Sequence, residues 1–264
     1  MKVACVQLSS GEDYNKNFSD IVKFVNLAIK KKSDLIITPE TSSIITNNKE
    51  LLFKRSYSMK KDPLIKKIKE ISKKSKKWIM IGSLPIRDGN KLRNRSLLIG
   101  PRGKIVKYYD KINMFDVIIS KKEKYNESKT YNAGKKLVVA KLPWGNLGFS
   151  ICYDLRFPEM YRALSKKDNV LFITVPSAFT NTTGKKHWIN LLKARAIENF
   201  CFVFAPNQTG NNNPHRKTYG HSTIISPDGK ILKIKKSGKG VIFCKIKPNE
   251  AIYLRKKIPS LNGN

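Results

Sequence analysis

The sequence predicts an α/β domain in which two β-sheets pack against each other. Short apolar strands alternate with amphipathic helices near both ends of the chain, and strand–turn–strand pairs lie between them. No repeat or linker-like stretch divides the 264 residues, so one domain is expected across residues 1–264. About ten or more strands in one domain form two packed sheets more readily than a single open sheet.

The first half of the chain begins as a strand, a helix and a second strand, a pattern typical of a parallel strand pair. A helix begins at Asp62-Pro63, because proline suits a first helical position. The predicted elements are strands at residues 2–8, 34–40 and 78–82, a helix around 21–29, and a hairpin of 96–99 with 105–108. Residues 110–131 are polar and irregular, and loops of that length are often functional.

The second half leads into and away from Cys152. The predicted strands are 137–140, 147–151, 170–175, 200–205 and 241–246, with a hairpin of 223–226 and 231–235. Helices are expected from Pro158 and over residues 187–199, and an Asn-rich loop over 207–214. A short helix and a tail end the chain.

The chain is strongly basic, with 53 Lys and Arg residues against 19 Asp and Glu residues and a net charge of +34. Such a charge is typical of nucleic-acid or membrane-surface binding. However, only ten of the basic residues are arginine, and the lysines are spread over nearly every segment. This favours a solvated basic surface without a specific nucleic-acid or membrane partner. A polyanion-binding protein without enzymatic activity stays open as the alternative.

The four cysteines are far apart, and three of them (Cys5, Cys201, Cys244) lie in apolar runs typical of buried strands. No C-x-x-C pair occurs and only three histidines are present, so no metal site is expected. Reduced thiols favour a cytoplasmic protein. The N-terminal apolar run is too short for a signal peptide, and no run approaches the ~20 residues that span a bilayer.

Cys152 differs from the other cysteines because it stands between a strand and a helix and is followed by polar residues. A thiol there is a candidate nucleophile, which needs a base, oxyanion donors and a proton source for the leaving amine. None of the three histidines ends a strand. Glu40 does, and Lys111 follows another strand; Glu127 is weak evidence when taken alone.

Four segments resemble the nitrilase superfamily of carbon–nitrogen hydrolases and occur in that family's order. They are Pro-Glu40, Tyr-Asp-Lys111-Ile-Asn-Met-Phe-Asp, Glu127-Ser-Lys-Thr, and Gly-Phe-Ser-Ile-Cys152-Tyr-Asp-Leu-Arg-Phe-Pro-Glu. The resemblance implies an α-β-β-α sandwich that forms homodimers or higher homo-oligomers, and residues from about 248 to 264 are expected to contribute to the dimer contact. It implies no cofactor.

The same resemblance implies the roles of the site residues. Cys152 would be the nucleophile and Glu40 the general base and acid. Lys111 and the backbone N–H of Tyr153 would stabilise the oxyanion, and Glu127 would position substrate or water. The reaction would be amide hydrolysis through a thioester. Relatives commonly have histidine where this chain has Asn113, and asparagine cannot titrate near neutral pH.

Within the superfamily, the chain is most similar to the omega-amidases and deaminated glutathione amidases. Arg-Lys-Thr-Tyr-Gly-His-Ser and Ile-Pro-Ser-Leu favour the deaminated glutathione type. Arg156 would pair with the carboxylate of an α-keto acid, or else with Asp154 or Glu159 of the chain itself. Phe179 and Thr183 are expected to line the pocket. An omega-amidase acting on α-ketoglutaramate, or a relative that hydrolyses ureido compounds or nitriles, is the alternative.

Overall fold

The computed structural model describes residues 1–121 and 123–261, and it contains two six-stranded sheets. The first sheet has the order β16-β1-β2-β3-β4-β5, formed by β1 (Lys2–Gln7), β2 (Leu35–Ile37), β3 (Trp78–Asp88), β4 (Lys91–Ile99), β5 (Ile105–Asp110) and β16 (Gly240–Lys245). Strand β2 runs parallel to β1 and β3, which confirms the parallel pair expected at the start of the chain.

The second sheet has the order β15-β14-β11-β10-β9-β8. Its strands are β8 (Val139–Leu142), β9 (Gly145–Phe149), β10 (Val170–Thr174), β11 (Phe202–Ala205), β14 (Ser222–Ile225) and β15 (Ile231–Lys235). Strand β10 pairs in parallel with β9 and β11, and the other pairings are antiparallel. The strand that precedes Cys152 therefore lies next to the centre of this sheet.

Helices cover both sheets. They are α1 (Tyr14–Lys30), α2 (Lys49–Lys54), α3 (Pro63–Ser75), α4 (Pro158–Asp168), α5 (Asn181–Asn199) and α6 (Asn249–Lys257). Side-chain caps fix where α1 and α3 begin: Asp13 accepts a hydrogen bond from the N–H of Lys16, and Asp62 accepts one from Ile65. Pro63 follows as the first residue of α3, as the sequence predicts.

The apolar residues divide into layers because side chains alternate along each strand. On β1, Ala4 and Val6 pack in a cluster with residues of α1 and α3, whereas Val3 and Cys5 pack in a cluster with the second sheet. The second cluster also takes in Trp188 of α5. The sheets thus face each other between two helical layers, which confirms the predicted four-layer sandwich.

Two hairpins occur where the sequence predicts irregular chain. Strands β6 (Asp116–Ile118) and β7 (Lys124–Asn126) form one, and β12 (Thr209–Asn213) and β13 (Arg216–Tyr219) form the other. The loop prediction for residues 207–214 is therefore wrong. Asn212 is held by tertiary hydrogen bonds, donating to the carbonyl of Ser10 at 2.9 Å and accepting from Thr218 at 2.7 Å. Such contacts override the turn preference of asparagine.

The four cysteines are free thiols. Of the helices formed by the described residues, none is both long enough and apolar enough to cross a membrane.

Candidate active site

Three buried polar residues follow the ends of strands and meet between the two sheets. Glu40 follows β2 and Lys111 follows β5, so both come from the first sheet. Cys152 follows β9 of the second sheet. Their exposed fractions are 3%, 2% and 7%. Ionisable side chains are rarely buried to this degree without partners, so each of these residues is expected to have polar or charged neighbours.

Lys111 joins two carboxylates. Its Nζ lies 2.9 Å from Oε1 of Glu40 and 2.8 Å from Oε2 of Glu127. Asn94, in β4, bridges the same pair, because its Nδ2 donates to Glu40 Oε1 and to Glu127 Oε1 at 2.9 Å each. The structure therefore brings Glu40, Lys111 and Glu127 together, and it adds an asparagine that the sequence analysis missed.

These contacts set the charges of the network. Burial raises the pKa of the Glu40 carboxyl, but the charges of Lys111 and Arg216 outweigh burial and hold that pKa below its usual 4.5. Burial lowers the pKa of Lys111, yet Glu127 and Glu40 outweigh it, and the pKa lies well above the usual 10.5. Lys111 is therefore a fixed cation, and Glu40 is a carboxylate at neutral pH.

Cys152 sits in a strained turn. Its φ of 49° lies in the left-handed region, which non-glycine residues rarely adopt. The turn is held by the Cys152 N–H, which donates to the carbonyl of Pro176 at 3.0 Å. Burial, followed by the nearby charge of the Glu40 carboxylate, raises the pKa of Cys152 above its usual 9.0. At neutral pH a protonated thiol therefore lies beside an ionised carboxylate.

Cys152 is the first residue of a short 3-10 helix, Cys152–Arg156. Tyr153 is in its first turn, where backbone N–H groups have no acceptor inside the helix. Asp154 is fully buried and closes the turn, since its Oδ2 accepts a hydrogen bond from the N–H of Ile151 at 2.8 Å. An N–H that follows a buried thiol in this way is suited to donate to an oxyanion.

Asp154 also ties this turn to the first sheet. Its Oδ2 accepts from the hydroxyl of Tyr109 at 2.7 Å, and its Oδ1 accepts from the backbone N–H and the side chain of Asn113 at 3.0 and 2.9 Å. Burial raises the pKa of Asp154, although hydrogen bonds favour the charged form. Asn113 thus helps to hold the turn that carries Cys152 through a neutral amide.

The predicted substrate-binding residues lie on one side of Cys152. Arg156, Phe179 and Thr183 line a narrow crevice of about 10 Å³ that also reaches Cys152. The Arg156 guanidinium is 5.4 Å from the ring of Phe179 and 3.3 Å from Nδ1 of His187. Within residues 1–121 and 123–261, Arg156 forms no ion pair, so the alternative pairing with Asp154 or Glu159 is not observed.

A larger cavity of about 490 Å³ also reaches Cys152. Glu40, Lys111 and Glu127 lie in its wall, with the β6–β7 hairpin and residues 44–47 forming other sides. Arg216 of β13 also lines it. The sequence analysis assigned no role to Arg216, although the motif Arg-Lys-Thr-Tyr-Gly-His-Ser begins with it. The scarcity of arginine in a lysine-rich chain is the signal that could have drawn attention to it.

The comparisons with known proteins agree with this geometry. A family model described as carbon-nitrogen hydrolase matches residues 2–256. The chain belongs to the carbon–nitrogen hydrolase family. It is therefore a hydrolase of carbon–nitrogen bonds other than peptide bonds, and the resemblance to the nitrilase superfamily is confirmed.

Similar proteins carry a more specific name. A protein named deaminated glutathione amidase from Synechocystis sp. is 37% identical over 264 residues, covering 98% of this chain and 96% of that protein. Another of that name from Dictyostelium discoideum is 39% identical over 239 residues, covering 88% and 82%. These relatives support an amidase of the nitrilase superfamily.

Solved structures share the fold. The C. elegans NitFhit protein superposes with a TM-score of 0.91 at 32% identity, covering all of this chain and 64% of that one. Saccharomyces cerevisiae Nit3, described as a member of branch 10 of the nitrilase superfamily, gives 0.87 at 27% identity, covering 98% and 94%. The two-sheet sandwich is thus the architecture of the family.

Proposed function

We propose that the protein hydrolyses the amide bond of a small α-keto-acid amide, deaminated glutathione, through a thioester on Cys152. The observation that carries the proposal is the buried network of Glu40, Lys111 and Glu127 next to a protonated thiol. A carboxylate in contact with a thiol can take its proton during attack, and a fixed cation can hold the oxyanion.

The reaction would start when the Cys152 sulfur attacks the amide carbon and Glu40 takes the thiol proton. The oxyanion would be held by Nζ of Lys111 and the N–H of Tyr153. When the C–N bond breaks, Glu40 gives the proton to the leaving amine, and a thioester remains. Water then attacks the thioester, with Glu40 as the base, and releases a carboxylic acid and the free thiol.

Glu127 would orient these groups. It accepts hydrogen bonds from Lys111, Asn94 and the N–H of Phe115 at 2.8 to 2.9 Å. The second carboxylate adds negative charge that keeps Lys111 protonated and fixes the position of its ammonium group. Its role would therefore be positioning, and Glu40 would carry the proton.

Two observations support deaminated glutathione as the substrate. Relatives of that name match over nearly the whole chain. The cavity volume of about 490 Å³ also lies in the range of about 300–1,000 Å³ typical of sites that enclose a whole ligand. α-Ketoglutaramate is the same acyl group joined to ammonia only, and it would leave much of this cavity to water.

A substrate panel tests the proposal. Deaminated glutathione, α-ketoglutaramate, a carbamoyl-amino acid and a nitrile are each incubated with the wild type, and product is measured. Turnover of deaminated glutathione with the highest kcat/KM is expected. Hydrolysis of only the carbamoyl compound or the nitrile would contradict the proposal. A higher kcat/KM for α-ketoglutaramate would point to an omega-amidase.

Variants test the mechanism. Cys152→Ala is expected to abolish turnover, and Glu40→Gln and Lys111→Ala to lower kcat by about a hundredfold or more. Cys244→Ala, at a thiol of β16, is the matched control and should keep wild-type activity. Mass spectrometry of Glu40→Gln with substrate should reveal an acyl adduct on Cys152. Full turnover by Cys152→Ala would refute the thioester.

We also propose that the C-terminal segment takes part in a homodimer contact. Helix α6 exposes Ile252 and Tyr253, whose exposed fractions are 40% and 63%, and Ile258 follows at 49%. Residues 262–264, which the expected segment 248–264 includes, lie outside the described residues. Light scattering of the wild type and of Tyr253→Lys tests the contact: the variant should shift toward the monomer.

A further inference from the structure

Arg216 places a cation in the wall of the cavity without a carboxylate partner. Its Nη2 donates to the carbonyl of Ala178 at 3.0 Å, and its guanidinium lies 5.4 Å from the ring of Tyr125. Its Nε is buried and has no acceptor among residues 1–121 and 123–261, where the side chain also forms no ion pair. By contrast, Arg95 donates to both carboxylate oxygens of Asp110, through Nε and Nη2.

The charges around Arg216 favour an anion in the outer part of the cavity. Lys49 and Lys124 also line it. The carboxylate of Glu123 is present too, but it accepts hydrogen bonds from the hydroxyls of Tyr125 and Thr182 at 3.1 and 2.9 Å. Glu40 and Glu127, deeper in the wall, are both bound by Lys111. A planar guanidinium in such a place is suited to a carboxylate, which it can hold with two hydrogen bonds.

The position of Glu40 indicates which end of the substrate enters this cavity. Glu40 lines the cavity and not the crevice. Ala178 links it to the arginine, because the Ala178 N–H donates to Glu40 Oε2 at 2.8 Å and its carbonyl accepts from Arg216. Glu40 would give its proton to the leaving amine. The leaving amine is therefore expected in the cavity that Glu40 and Arg216 both line.

The same wall offers an acceptor for that amine. Oδ1 of Asn94 is buried and has no hydrogen-bond donor among the described residues. The orientation of the amide is fixed, because Nδ2 must face the carboxylates of Glu40 and Glu127. The residues that line the cavity thus include an acceptor without a donor, Asn94 Oδ1, near Glu40, and a donor without an acceptor, Arg216 Nε. An amine that carries both N–H and a carboxylate complements this pair.

We propose that Arg216 binds a carboxylate of the leaving amine, so that the enzyme selects amides formed with amino acids or short peptides. The inference rests on the proposed amidase reaction and adds to it a determinant of the leaving group. Arg216 acts in binding the leaving group, whereas Arg156 lines the crevice and not the cavity.

A matched pair of substrates tests the inference. Deaminated glutathione ends in a glycine carboxylate, and its glycinamide differs only by replacing that carboxylate with a neutral amide. The wild type should show a KM for the free acid about tenfold to a hundredfold lower than for the glycinamide, the range for a hydrogen bond to a charged group. Arg216→Met should remove the difference, while Lys217→Met, the next residue of β13, should keep it.

A second variant separates binding from the effect of Arg216 on Glu40. The arginine charge lowers the pKa of Glu40, so its loss also affects proton transfer. Arg216→Lys keeps the charge but loses the planar fork. It should raise the KM for deaminated glutathione by about tenfold and leave kcat and KM for α-ketoglutaramate, whose leaving group is ammonia, within twofold of the wild type.

The outcomes are distinguishable. Equal KM values of the wild type for the acid and the glycinamide would overturn the inference. An equal rise in KM for α-ketoglutaramate in Arg216→Lys would also overturn it, because the arginine would then bind the acyl carboxylate. If the wild type hydrolysed none of these amides, the proposed function itself would fail, and the inference with it.

Discussion

Replacing Lys111 by methionine would leave two buried carboxylates without their shared cation. Methionine keeps an unbranched chain of similar length, so the change is mainly one of charge. Glu40 and Glu127 lie 2.9 and 2.8 Å from the lysine nitrogen, and the exposed fractions of their side chains are 4% and 13%. Removing one partner of a buried ion pair typically costs about 3–5 kcal/mol. At about 2–4 °C per kcal/mol for a chain of this size, the melting temperature should fall by about 10 °C.

The loss should depend on pH in a defined direction. The pKa of Glu40 is lowered in the folded wild type. The stability that the Glu40 carboxylate contributes is therefore present above pH 4.5 and is lost as the pH falls through the pKa of the folded state. The pKa of Lys111 is raised, so its contribution is present below 10.5 and is lost at higher pH. The difference in stability between wild type and Lys111→Met should therefore be largest between about pH 5 and 10 and shrink outside that window.

Thermal unfolding followed by circular dichroism at pH 4, 7 and 10 measures this difference. Adding Glu127→Gln to Lys111→Met removes one uncompensated charge and should recover part of the stability, whereas Glu127→Gln alone should destabilise the wild type. A melting temperature of Lys111→Met within 2 °C of the wild type at pH 7 would refute the reasoning, as would a double variant less stable than Lys111→Met.

Three further predictions follow from the site. Asp154→Ala removes the acceptor of four hydrogen bonds, so the free energy of unfolding should fall by about 3 kcal/mol and kcat more than tenfold. Asp154→Asn should retain part of the stability and part of the activity. Urea unfolding measures the stability, and initial rates measure kcat. Gly82→Ala places a Cβ 1.9 Å from the carbonyl oxygen of Thr38. The backbone would have to shift, which should displace Glu40 and lower kcat more than tenfold. Gly148→Ala should lower kcat less, because the nearest atoms to its Cβ are side-chain atoms at 3.2 Å. The lowered pKa of Glu40 and the raised pKa values of Cys152 and Lys111 predict a flat profile of kcat/KM from about pH 5 to 9, and an inflection near pH 7 would contradict it.

The sequence was most informative where a functional side chain directly follows a strand. Glu40, Lys111 and Cys152 each come shortly after the end of a strand, and functional side chains of α/β proteins are often presented at such positions. The apolar periodicity of α1 and α3, and Asp62-Pro63 at the start of α3, likewise predict helices that the structure confirms, although α1 begins at Tyr14, earlier than the predicted helix around 21–29. These features depend on neighbours close in the chain, which is why a sequence pattern can predict them.

Asn94 and Arg216 were not predictable in the same way. Asn94 lies inside β4, and only the alternation of buried Leu92, Asn94 and Ser96 with more exposed arginines marks it as facing inward. Its two carboxylate partners are 54 and 33 residues away in the chain. Arg216 reaches the cavity only because a hairpin folds back over the end of the second sheet, and that hairpin depends on hydrogen bonds to Ser10 and Leu8.

The hydrogen bond between Tyr109 and Asp154 has a consequence for how this enzyme can change over time. Tyr109 belongs to the strand that delivers Lys111, Asp154 belongs to the turn that delivers Cys152, and the Tyr109 ring packs 6.5 Å from that of Phe149. The spacing between the Cys152 sulfur and the Lys111 ammonium group therefore depends on how the two sheets pack against each other. Substitutions deep in the apolar interface, far from any substrate, can retune the rate by sliding one sheet against the other. Substitutions in the interior of this protein, as well as substitutions in its cavity, can therefore change its activity during evolution.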